Sequence, residues 1–250
     1  MTRALAITAA ALAAFTVLVV AGGMTWLDEW GISHVMPGLD PTTPAGEIVH
    51  TSGLWRPFPL DIPWWEKLLD VYTYPASALI SAATLAAAGI VLERRGERLA
   101  AVVWIGAWCL ANAAELAGKH ELTRPGLEWW DGSRRIHVAP FDSSYPSGHA
   151  TRAVVTAAIV SFVWPRLRPY AVAWVVFVPV ALVVSGAHTI ADVVGGVLLG
   201  LLLALAAHAI IGRWAPSTTS SEASSEASWP TRPPSSPTSR ARASSSPNPS

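Results

Sequence analysis

Two histidines in this chain stand beside residues that could give them chemical work. His149 lies in Y-P-S-G-H-A-T-R, residues 145–152, and His188 in S-G-A-H-T-I-A-D, residues 185–192. Pro146, Ser147 and Gly148 read as a turn into a helix. The first N–H groups of a helix have no internal partner, and with the helix dipole they favour an anion. Gly148 lets an anion approach the backbone, and Ser147 can cap the helix or donate to that anion. Arg152 in the first turn opposes the dipole, and a bound phosphate removes the conflict. His149 and Arg152, three residues apart, share a helical face. An ordinary Ser/Gly cap with a snorkelling arginine is the other reading of these residues. His188 and Asp192 are four apart. A carboxylate that holds one imidazole nitrogen leaves the other as a basic lone pair. A histidine in a plain polar contact, with an aspartate favoured by the dipole, is the alternative there.

A third polar cluster, G-K-H-E-L-T-R-P at 118–125, offers Lys119 as a point charge and Arg124 as a planar fork, both suited to phosphate. Glu115, one turn before Lys119, reads as its structural ion-pair partner. Asn112, a further turn back, carries no chemical signal alone. His34, His50, His120 and His137 read as solvated loop residues, and His208 as a packing or interfacial one. No H-x-x-x-H or H-E-x-x-H spacing occurs, so neither a metal site nor another cofactor is expected.

The elements that must position these residues are apolar. Of 250 residues, 52% are hydrophobic and 14% charged, and mean hydropathy is +0.39. Soluble domains carry about 25% charged residues, so the composition is that of a membrane protein. Six runs are candidate spans: 4–23, 73–92, 99–117, 149–164 (short), 170–187 and 190–212. The first could be a signal peptide, but its length and the lack of a small-x-small site favour a retained span. With the N-terminus inside, ten of the seventeen basic residues fall on the inner side. All three polar clusters then fall on the outer side. Residues 24–72 form an outer segment rich in Trp and Pro, with a short interfacial helix expected near 64–71, and thirteen tryptophans suit membrane interfaces. From 215 the chain is Ser/Pro/Thr-rich and is expected to be a disordered inner tail. Zero formal net charge gives no sign of a nucleic-acid partner. The single Cys109 excludes an intrachain disulfide and a cysteine metal cluster, and reads as a small buried hydrophobe.

In order, K-H-E-L-T-R-P, P-S-G-H and H-T-I-A-D resemble the three motifs of the type-2 phosphatidic acid phosphatase superfamily of membrane lipid phosphatases. The resemblance covers about 70–212 and includes the six-span layout with an outer site. It implies that His188 is the nucleophile that forms a phosphohistidine, that Asp192 orients it, and that His149 is the general acid and later the base. It further implies that Lys119, Arg124, Ser147 and the Gly148 amide hold the phosphoryl oxygens without a metal. The chain departs from the family pattern twice. Four residues, not six, separate Lys119 from Arg124, and position 126, where the later arginine would sit, is Gly126. Leu182 stands where the third motif expects an arginine. Arg152, Arg134 and Arg135 are candidate replacements, with Arg152 preferred because it has no other evident partner in the sequence.

The expected fold is therefore all-α: a polytopic, six-transmembrane-helix bundle over 1–214, with outer segment 24–72 and motif region 115–192, then the tail 215–250. The expected protein is a cell-membrane enzyme with both termini cytoplasmic and its site on the extracytoplasmic face. It would hydrolyse a lipid phosphate or pyrophosphate of polyprenyl, phosphatidic acid or phosphatidylglycerol phosphate type. A phosphotransferase would use the same residues. A non-catalytic lipid-phosphate binder or carrier is the competing expectation, and Leu182 is its motive. The oligomeric state is not legible.

Overall fold

The computed structural model describes residues 1–36, 64–131 and 134–214. Most of the 24–72 outer segment and the whole 215–250 tail lie outside the described residues. Met1–Trp214 clusters as one unit. Its helices are α1 (Thr2–Val20), α2 (Thr25–His34), α3 (Trp64–Thr73), α4 (Ala78–Arg94), α5 (Arg98–Glu121), α6 (Gly148–Val163), α7 (Arg168–Val184) and α8 (Ile190–Trp214). A two-stranded antiparallel ribbon, β1 (Glu128–Asp131) and β2 (Arg134–His137), sits between α5 and α6 and pairs Trp129 with Ile136. The ribbon adds two short strands to a fold that is otherwise helical, as expected. E-W-W-D and R-R-I-H are rich in aromatic and β-branched residues, which suit a pleated surface.

Each of the six apolar runs holds a long helix. Among the described residues, four segments, Thr2–Val20, Arg98–Glu121, Pro165–Val184 and Ile190–Trp214, are long and apolar enough to cross a membrane. α4 and α6, with 17 and 16 residues, fall short of that length. The second run was expected from residue 73, but α4 begins at Ala78. Pro75 sits in a 3₁₀ turn over Tyr74–Ala76, and Ser77, in extended backbone, caps α4 by accepting from Ile80 N. α3 occupies the place expected for an interfacial helix and leans on α7, where Trp174 Nε1 donates to Tyr72 O at 2.9 Å.

α6 is the centre of the bundle. Eleven of its sixteen residues are buried, because its Ala, Thr and Val side chains are small enough to be surrounded. It packs against α4, α5, α7 and α8. α8 meets it through Gly196 and Gly200, which lie on the backbone of Ser147 and Thr151. A Cβ at Gly200 would come within 2.7 Å of Val154 Cβ and 2.8 Å of Thr151 O. Thr151 Oγ1 donates to Gly196 O at 3.1 Å and to Ser147 O at 2.9 Å, which fastens the start of α6 to α8.

The far end of the bundle is apolar. Trp104 packs there with Leu85, Ala88, Leu92, Ile159, Val163 and Ala204. His208 packs edge-on to Trp104 at 5.2 Å, in the packing role expected of it. Gly96, at φ 78°, turns the chain from α4 into α5, and Arg95 Nη1 donates to Val163 O at the C-terminus of α6. Cys109 is exposed on α5, which corrects the expectation of a buried thiol. Apolar surface on such a helix can face lipid tails, so an apolar run does not imply an interior position.

Candidate active site

The three polar clusters meet at one end of the bundle: the C-terminus of α5, the N-terminus of α6 and the N-terminus of α8. Ser147 is the N-cap of α6 and accepts from Ala150 N at 3.4 Å. Its own N–H donates to the main-chain oxygen of Asp192 at 2.9 Å, which joins the second and third motifs directly. The peptide before it, Tyr145–Pro146, is cis. Tyr145 is buried against Gly195, and its hydroxyl lies 2.8 Å from Thr16 Oγ1 on α1.

α8 starts with a reciprocal cap in T-I-A-D. Thr189 N donates to Asp192 Oδ2 at 3.0 Å, and Asp192 N donates to Thr189 Oγ1 at 3.3 Å. Asp192 is fully buried and also accepts from Ser144 Oγ at 2.6 Å and Arg124 Nη1 at 2.8 Å. Three donors, Thr189 N, Ser144 Oγ and Arg124 Nη1, thus fix its carboxylate as an acceptor. His188 Nδ1 lies 3.6 Å from Asp192 Oδ2, beyond hydrogen-bond length. That nitrogen is buried and has no hydrogen-bond partner. Such contacts often tighten only when substrate binds. The His149 and His188 rings face each other with centroids 6.4 Å apart.

The cations expected to clamp phosphate are all engaged by carboxylates. Arg124, with a side chain 3% exposed, spends its fork on Asp192 and on Asp28 Oδ2, the latter at 2.9 Å. Lys119 Nζ is 2.7 Å from Glu115 Oε1, the pair expected from the sequence. Arg152 corrects the reading that it has no other partner. Its Nη1 donates to Glu115 Oε2 and, at 3.0 Å, to Asn112 Oδ1, and its Nε donates to Ala76 O at 2.9 Å. Of the other two replacement candidates, Arg135 is exposed on β2 beside Glu128 Oε2 at 3.2 Å, and the side chain of Arg134 is outside the described residues. Leu182 is buried among Ala76, Ala150, Ala153, Val178 and Val193, so its site is a packed apolar one.

Two residues of this site escaped the sequence reading. Asp28 on α2 is 1% exposed. It holds Arg124 and accepts from Ala191 N at 2.8 Å, so it buttresses the first turn of α8. Burial pushes its carboxyl up to about 6, even against the pull of the Ala191 bond and Arg124. Its segment, W-L-D-E-W, offered only an acid in a Trp-rich stretch. Asn112 is the other, and its i, i+3 spacing to Glu115 was its only trace.

Residues 103–216 match the family model described as PAP2 superfamily. No curated protein matches the chain. Among solved structures, the fold is similar to the crystal structure of a transmembrane PAP2 type phosphatidylglycerolphosphate phosphatase from Bacillus subtilis. The TM-score is 0.57 at 18% identity, and the match covers 83% of this chain and 98% of that one. With its three motifs gathered at one end of a bundle of this fold, the chain is similar to the PAP2 superfamily over residues 103–216, the part that the family model matches.

Proposed function

We propose that this protein is an integral membrane phosphatase that removes phosphate from a lipid phosphate or pyrophosphate through a phosphohistidine on His188. The observation that carries the reading is the pairing of two neighbouring imidazoles, His149 and His188, with the buried Asp192, its carboxylate held by three donors, beside His188 Nδ1. With Nδ1 turned to Asp192, the lone pair of His188 Nε2 attacks phosphorus. The phosphorus–oxygen bond to the leaving group breaks, and protonated His149 gives its proton to the departing oxygen. Water then attacks the phosphohistidine. His149 takes a proton from that water, the phosphorus–nitrogen bond returns its electron pair to His188, and phosphate leaves. Lys119, Ser147, the Gly148 amide and Arg152 hold the phosphoryl oxygens, because positioning and charge stabilisation are the main tasks in phosphoryl transfer. Arg124 acts one step back by holding Asp192. These roles need no metal.

The chain is read as six spans, with short α4 and α6 carried inside the bundle, both ends cytoplasmic and the site on the extracytoplasmic face. The excess of basic residues on the opposite side supports that orientation. A site at the end of apolar helices favours a phosphate that arrives on a lipid, of polyprenyl, phosphatidic acid or phosphatidylglycerol phosphate type.

The test is inorganic phosphate release from a panel of these lipids by the detergent-solubilised full chain, with chelator present. Release by wild type that drops at least a thousandfold in His188→Ala supports the reading. Folded wild type that binds the lipids and releases nothing makes the chain a binder, with Leu182 in place of the missing cation.

A further inference from the structure

The mouth of α6 already holds an anion. A Cβ built on Gly148 would fall on the carboxylate of Glu115, with Cδ and both oxygens of that group in the way. The carboxylate therefore lies against the Cα of Gly148, the first residue of α6. One oxygen takes Lys119 Nζ and the other takes Arg152 Nη1. Arg152 is itself held in place from two further sides, by Ala76 O and Asn112 Oδ1. It is 6% exposed and keeps this geometry with Glu115 as its charged partner.

The charge count sharpens the point. The cations of the site among the described residues are Lys119, Arg124 and Arg152, and their partners are Glu115, Asp28 and Asp192. These three cations and three carboxylates sum to a formal charge of zero. A phosphate dianion gains little from cations whose charge is already met. Arg124 is locked between two buried carboxylates and cannot turn to it. Glu115 is the carboxylate that can yield, because its side chain is 14% exposed and reaches the mouth from the flank of α5.

We propose that Glu115 is a displaceable internal anion. It fills the seat between Lys119 and Arg152 that a phosphoryl group takes, and so sets how weakly phosphate is retained. The inference rests on the phosphatase reading of this mouth. Substrate phosphate swings the Glu115 carboxylate aside, and the returning carboxylate expels the product. The ligand class is any tetrahedral or five-coordinate oxyanion, a lipid phosphate or free phosphate alike.

The experiment is equilibrium binding of orthovanadate and of inorganic phosphate to the purified full chain in detergent, wild type beside Glu115→Gln. Gln keeps the shape and an acceptor oxygen for Arg152 while removing the charge. Vanadate and phosphate should both bind on the order of tenfold tighter to Glu115→Gln, and product phosphate should inhibit it at correspondingly lower concentration. Binding by wild type that is unchanged or weakened in Glu115→Gln overturns the inference and leaves the phosphatase reading standing. Absence of vanadate and phosphate binding in both proteins at millimolar ligand overturns the phosphate reading and the inference with it. If Glu115→Gln does not fold, Glu115→Asp draws the carboxylate back from Gly148 and should shift both affinities the same way by a smaller factor. An unchanged or weaker affinity there overturns the inference as well.

Discussion

Arg124 shows how a side chain's partners set its work. Its fork lies between Asp28 and Asp192 and is spent on carboxylates. An arginine that holds the orienting aspartate affects turnover more than binding. Arg124→Lys should therefore lower kcat by roughly tenfold to a hundredfold, since lysine cannot span both carboxylates, while vanadate affinity changes little. Steady-state kinetics beside a vanadate titration check this. Asp28 gives a pH test. Its folded carboxyl titrates at about 6 instead of 3.8, so the folded state takes up its proton at higher pH than the unfolded state. Folding stability from this group therefore rises as pH falls from about 6 toward 3.8, by up to about 1.4 kcal/mol per unit, and is lost as pH rises through 6. Thermal midpoints of wild type should gain on those of Asp28→Asn as the pH is lowered across that window. Parallel curves would show that Asp28 does not titrate there.

The site depends on how α6 and α8 cross. Gly196 and Gly200 bring the two backbones together, and the Ser147 N–H to Asp192 bond sits at the same contact. Gly200→Leu should cost about 1–3 kcal/mol through overpacking and depress activity by moving the mouth of α6. Gly106→Leu is the matched control. A Cβ there meets nothing within 4 Å, and it should melt and turn over like wild type. The six long helices were legible in the sequence because lipid-facing and buried positions are both apolar, which leaves unbroken runs. The same fact hid which face is which, so Cys109 read as buried and is exposed. The ribbon was missed although W-W-D-G-S-R-R-I carries a Gly-Ser hairpin signal between its strands, because it is short and lies between louder motifs. The motif residues were legible by spacing. The Glu115–Lys119 pair was legible too, but the long-range pairs were not, because Asp28 precedes Arg124 by 96 residues and Arg152 follows Glu115 by 37.

At the scale of the molecule, one end of the bundle is polar and internally neutral, and the other is apolar, with Arg94, Arg95 and Arg98 at the turn into α5. The proposed orientation puts that turn in the cytoplasm. α5 spans about 36 Å from Arg98 to Glu121 at 1.5 Å per residue, enough to separate its ends across a bilayer. In a Cys109→Ser background, a membrane-impermeant thiol reagent added outside intact cells should label His120→Cys and spare Arg98→Cys. The reverse pattern would invert the topology. The central question for the whole assembly is whether phosphate passes through His188. The most direct measurement is a rapid-quench experiment with a lipid phosphate radiolabelled at phosphorus, in wild type and His188→Ala. An acid-labile, base-stable label that appears on wild type within one turnover, maps to His188 and is absent from the variant is the predicted result. Full turnover by His188→Ala, or turnover by wild type with no label at any time, would contradict a phosphohistidine at this position.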